Sequence, residues 1–86
     1  MIKYGGDTML PRKYSDCRQE TLAVKAALRE AGIEANVKHL PYGNQLFVIV
    51  ADESTWQQAG MIVREATGRW DAYDIVMKNK IGEILR

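Results

Sequence analysis

Few residues in this chain carry side chains suited to bond-making chemistry. There is one histidine, His39, and one cysteine, Cys17. His39 has the chemistry of a general base. It would need a nucleophile or an acid beside it, and no spacing in the sequence identifies one. Cys17 falls in the first turn of a candidate helix, where the helix dipole favours negative charge. It also has the phase of that helix's apolar face, so packing is its expected role. One cysteine and one histidine cannot close a structural zinc site within one chain. No EF-hand pattern supplies calcium ligands, and "YGGD" lacks the lysine and the helix of a phosphate loop. No catalytic residue, metal or cofactor is expected.

Cations offer a different chemistry. Arg18, Lys25 and Arg29 fall on one flank of the candidate helix, with Leu22 between them. None has an acidic residue three or four positions away in that helix. Lys25 and Arg29 are four apart and repel one another by about 0.2–0.5 kcal/mol. Arg12 and Lys13 precede the helix and could extend the patch. The simple reading is a solvated face, or pairing with an acid from elsewhere such as Glu83. The functional reading is an anion-binding patch for phosphate backbones or an acidic protein surface, without sequence specificity.

The totals limit both ideas. The chain has 86 residues and a formal net charge of +1, so no global field draws it to nucleic acid or an acidic membrane. Its composition, 47% hydrophobic and 27% charged, is that of a folded domain rather than a disordered chain. Residues 1–86 are expected to form one small domain, which buries only roughly 60–65% of its unfolded surface. A partner subunit would therefore add useful burial. A lone cysteine fits a reducing compartment, and no apolar run reaches the length of a membrane span. The cytoplasm is the expected location.

The elements that position these residues follow from periodicity. Gly5-Gly6-Asp7 signals a turn between two short segments, Ile2 to Tyr4 and Thr8 to Leu10, that could form an N-terminal strand. "YSDCRQETLAVKAALREAG" predicts a helix over about 16–31. Asp16 and Gln19 resemble a capping box, Ser15 is a rival cap, and Gly32 stands where a left-handed cap belongs. Cys17, Thr21, Val24, Leu28 and Ala31 make the apolar face. "IEANVKH" alternates and predicts a strand with Ile33, Ala35 and Val37 on one side and His39 sharing their parity. "QLFVIVA" is a second, wholly apolar strand. "DESTWQQAGMIVREATG" predicts a second helix, with Ser54 or Asp52 as cap and Trp56, Ala59, Ile62, Val63 and Ala66 on its inner face. Gly60 inside it points to a close approach to the sheet. "DAYDIVMK" is a third strand, with Tyr73, Ile75 and Met77 opposed to Asp74, Val76 and Lys78. The tail "NKIGEILR" could return as a short strand or a turn of helix. Trp56 fits the core, while Trp70 could be core or an exposed anchor.

The order (β)αββαβ is that of a ferredoxin-like α+β fold: a small two-layer sandwich whose antiparallel sheet carries two helices on one face. That architecture hosts many functions and names none. Between the first two core strands lies "HLPYGNQ". Leu40-Pro41-Tyr42-Gly43 suits a type I turn followed by a left-handed glycine, which gives a three-residue hairpin loop. In that register Val37 pairs with Phe47, so Phe47 and Ile49 lie under the helices. Leu46, Val48 and Val50 then form an apolar stripe on the open face of the sheet, beside Lys38. A two- or four-residue loop reverses the parity.

The expected function is a small non-enzymatic interaction module. It would act by protein–protein contact, as a homodimer or with a protein partner, through Leu46, Val48, Val50, Lys38 and Tyr42. The alternative is a nucleic-acid-binding accessory protein using Arg12, Lys13, Arg18, Lys25 and Arg29. "GNQLFVIV" does not supply the aromatic and basic pattern by which RNA-reading sheets stack bases.

Overall fold

A computed structural model describes residues 16–40, 45–70 and 74–85. The N-terminal strand, Arg12, Lys13, Tyr42 and Tyr73 lie outside these residues. The described chain is a small α+β unit of two helices and a three-stranded mixed sheet, in the order α1 (Cys17–Glu30), β1 (Ala35–His39), β2 (Leu46–Val50), α2 (Trp56–Thr67) and β3 (Ile75–Lys78). No helix among the described residues is long and apolar enough to cross a membrane.

Helix α1 starts where the capping signal places it. The Asp16 carboxylate accepts the backbone N–H groups of Arg18 at 2.8 Å and Gln19 at 3.4 Å, satisfying donors the helix itself cannot use. The buried positions are Glu20, Val24 and Leu28. Cys17 shares the phase of Val24 yet is exposed, which corrects its expected packing role. It lies a turn beyond Glu20 and Thr21, the residues that reach the last residue of β1, and so extends past the end of that strand. Helix α2 is preceded by a 3-10 turn, Glu53–Thr55, capped by Asp52, whose carboxylate accepts the Ser54 N–H at 3.0 Å. It ends at Gly68, whose φ of 76° closes the helix in the left-handed conformation. At Gly60 a Cβ would stand 3.8 Å from Sδ of Met77 on β3 and 3.0 Å from the Arg64 guanidinium, which is the close approach expected there. Trp56 is half-buried against the core, and Trp70 is exposed.

The sheet departs from the sequence expectation in two ways. First, it is mixed. β1 and β2 are antiparallel, but β2 and β3 pair directly and in parallel. Helix α2 carries the chain back to the starting end of β2, so the next strand runs the same way. In a split ferredoxin-like arrangement another strand would separate this pair, and here none does. Second, the register differs by one residue. Leu40 donates its N–H to the Gln45 carbonyl at 3.3 Å, so four residues connect the strands rather than three. Val37 is opposite Val48, and His39 is opposite Leu46.

That single residue inverts β2. Leu46, Val48 and Val50 are completely buried. They share one core with Val24 and Leu28 of α1, Ala59 and Val63 of α2, Val37 of β1, and Ile75 and Met77 of β3. Each large apolar side chain buried in this way stabilises the fold by about 1.5–3 kcal/mol. The contact stripe expected on the open face is therefore core. By alternation, Phe47 and Ile49 take its place.

The tail returns along β3 in a turn built by one side chain. Asn79 donates its amide to Glu83 at 2.8 Å and to Glu53 at 3.2 Å, and its side-chain oxygen accepts the Glu83 N–H at 2.8 Å. Gly82, with φ of 89°, completes the reversal. Ile84 then bridges Lys78, and Leu85 N–H bonds the Met77 carbonyl at 2.8 Å. Glu83 is thus engaged in this turn rather than with the cations of α1.

Candidate functional site

Alternation assigns the open face of the sheet row by row. Lys38 of β1, Phe47 of β2 and Val76 of β3 form one row. Asn36, Ile49, Lys78 and, across the tail bridge, Ile84 form the next. Phe47 and Ile49 are half-buried, Val76 is buried, Ile84 is 57% exposed, and Lys38 is exposed. The Lys78 ammonium sits 4.4 Å from the centroid of the Phe47 ring, a cation–π contact that covers part of the ring. The face is a short apolar band with Lys38 at one flank and Lys78 set within it, between Ile49 and Ile84.

The sole histidine belongs to a different cluster. Strand alternation turns His39 inward, beneath the first turn of α1. There it contacts two adjacent helical residues. Its Nε2–H donates to Oε1 of Glu20 at 2.8 Å, and its Nδ1 lies 2.8 Å from the Thr21 hydroxyl. Glu20 has a second partner from the far end of the chain. Gly68 turns the backbone out of α2, and the Arg69 side chain reaches back so that Nε donates to Oε2 at 3.0 Å and Nη2 to Oε1 at 2.9 Å. Both side chains of that pair are fully buried. Thr67 supports the turn: its hydroxyl donates to the Val63 carbonyl at 2.7 Å and accepts the Arg69 N–H at 3.1 Å.

A hydroxyl, an imidazole and a carboxylate in hydrogen-bonded series is the connectivity of an activated nucleophile. The sequence reading asked for a carboxylate near His39, and the fold supplies Glu20. Two features among the described residues set this cluster apart from such a nucleophile. The Thr21 N–H lies inside α1, where the helix ladder uses it, so it cannot serve as an oxyanion donor. The Glu20 charge is also already neutralised by a bidentate guanidinium. Among the described residues, no buried side-chain nitrogen or oxygen lacks a partner, as a satisfied polar core requires.

Glu20, Thr21 and Arg69 are the residues that sequence reasoning missed. A signal existed for Glu20: it lies four residues before Val24 and eight before Leu28, so it shares the buried stripe and needs a buried cation. Nothing in the sequence marks Arg69 as that cation.

The cations foreseen on α1 are where the helix puts them. Arg18, Lys25 and Arg29 are exposed, and among the described residues none forms an ion pair. Lys25 and Arg29 line a cleft of about 500 Å³, together with Leu28, Gly32, Ile33, Glu34, Ala35 and Asn36. Arg18 is not part of its lining. Compared with protein families, curated proteins and solved structures, the chain matches none.

Proposed function

We propose that this chain is a small, non-enzymatic interaction module that works by protein–protein contact, as a homodimer, through the open face of its sheet. The observation that supports the reading is the set of half-buried Phe47 and Ile49 with exposed Ile84 on the side of the sheet away from the shared helical core. In a two-layer sandwich such a face is the natural surface for a second copy. A domain this small gains proportionally from added burial. Lys38 would lie at the rim, where charge sets orientation more than affinity, while Lys78 stands between Ile49 and Ile84 and would have to swing aside or find an acidic partner. The proposed site is cytoplasmic, in keeping with a lone, exposed Cys17.

Size-exclusion chromatography with light scattering tests the reading. We expect a dimer that becomes a folded monomer in the Ile49→Glu, Ile84→Glu double variant. A wild-type protein that stays monomeric as its concentration is raised would remove the proposal. The choice of residues matters: a charge at Val48 would unfold the core rather than test a surface.

A further inference from the structure

The bonds that join β1 to β2 also fix what β1 leaves free. Ala51 N–H bonds the Glu34 carbonyl at 3.0 Å, and Leu40 N–H bonds the Gln45 carbonyl at 3.3 Å. Hydrogen-bonded pairs in an antiparallel ladder alternate, so residues 34, 36, 38 and 40 bond toward β2. The N–H and C=O groups of Ala35, Val37 and His39 point the other way. Among the described residues β1 is the edge strand of the sheet, and no backbone group pairs with that row. Edge strands are a standing invitation to another strand, which natural proteins restrict with bulges, prolines, covering segments or charge.

On this edge, the restriction visible among the described residues is charge. Lys25 and Arg29 stand on the helix side of the cleft, and none of its lining residues belongs to β2, β3 or α2, so it opens outward from β1. Lys38 is exposed on the other side of the strand. Glu34 is the one acid in the lining, and alternation aims it at the open face with Asn36 and Lys38, away from Lys25 and Arg29. A second copy of this chain seated here would bring its own Lys25 and Arg29 against the first pair, and like charges would oppose it. An extended segment with acidic residues on its helix-facing side would meet complementary charge and a free backbone row together.

We propose that the β1 edge binds an extended acidic peptide segment by strand addition. Backbone bonds to Ala35, Val37 and His39 would supply the affinity, while Lys25 and Arg29 would select for acidic side chains. The site is separate from the open face, so binding does not depend on the dimer proposed above. Nucleic acid would use the cations but has no use for a backbone row, and for that reason peptide is the favoured class.

The test is fluorescence anisotropy with a labelled seven-residue peptide alternating glutamate and valine. We expect salt-sensitive binding that disappears when every peptide nitrogen is methylated. Lys25→Glu with Arg29→Glu should weaken it by about tenfold or more, the scale of losing charge-assisted contacts. Ala35→Pro removes one outward N–H without touching the β1–β2 ladder, as proline is tolerated on an edge, and should weaken binding while the melting curve keeps its shape. Binding that survives methylation, or is unchanged in both variants, overturns the proposal. So does failure of the peptide to bind while a single-stranded oligonucleotide does. Loss of a dimer on Ala35→Pro would also overturn it, since the edge would then be holding a second copy. The Ile49→Glu, Ile84→Glu double variant should bind peptide normally, which separates this result from the fate of the dimer reading.

Discussion

Replacing Arg69 with methionine should be the most damaging single change short of opening the apolar core. The native pair is fully buried and bidentate. Methionine fills much of the space but leaves the Glu20 carboxylate without its guanidinium. Removing one partner of a buried pair costs about 3–5 kcal/mol. Protonation limits the part of this that comes from the stranded charge. Neutralising a carboxyl of ordinary pKa at pH 7 costs about 3.7 kcal/mol, from 2.7 pH units at 1.36 kcal/mol each. The expected loss at pH 7 is therefore about 3–4 kcal/mol. A domain of 86 residues has about 4–13 kcal/mol in total, so the variant should sit near the edge of folding. The same reasoning predicts that the deficit shrinks in acid, by up to about 2.7 kcal/mol between pH 7 and pH 5. Glu20→Met combined with Arg69→Met removes both charges and should be more stable than Arg69→Met alone. Urea unfolding followed by tryptophan fluorescence at pH 7 and pH 5 gives all of these values. A loss under about 1 kcal/mol at pH 7, or a double variant whose loss equals the sum of the singles, would refute the picture of a dry, coupled pair.

Val48→Glu should abolish cooperative unfolding while Ile49→Glu leaves a folded domain, because Val48 is in the core and Ile49 on the open face; circular dichroism melts decide it, and the reverse result would restore the three-residue loop register. Gly60→Ala should stabilise α2 by up to about 1 kcal/mol, since the closest atom to the new Cβ is the end of the flexible Arg64 side chain; a lower melting temperature would show that Arg64 is held in place. Asp52 has its carboxyl held below the usual range by hydrogen bonds from the Ser54 side chain and backbone, so its capping contribution is present above the unfolded value and lost as pH falls through the folded one. Wild type and Asp52→Ala should therefore differ in stability near neutrality and converge below about pH 4, and a constant gap down the acid limb would contradict the cap.

Local chemistry was legible in the sequence wherever the chain signals its own boundaries. Asp16 opens α1 in the expected place, and Gly60 marks the approach of α2 to Met77. Sheet direction and parity were not, because both depend on what lies between the strands. Pro41 and Gly43 suited a three-residue loop, but the Leu40–Gln45 pair closes one residue later. Every position of "LFVIV" is apolar, so the pattern of β2 could not choose its own inward face. Alternation in β1 and β3 could, and Val37, Ile75 and Met77 are all core as their parity demands. The buried pair was hidden for a similar reason. A carboxylate in phase with Val24 and Leu28 looks like a defect until a cation 49 positions away is known to reach it.

The direct pairing of β2 with β3 also sets an order of assembly during synthesis. The β1–β2 hairpin closes through a short loop and can form as soon as Val50 has emerged. β3 cannot join until the whole of α2 has been made and folded back, because parallel neighbours need a crossover. For that interval the nascent sheet ends in β2, whose row of Leu46 to Val50 is wholly apolar and whose second side is unpaired.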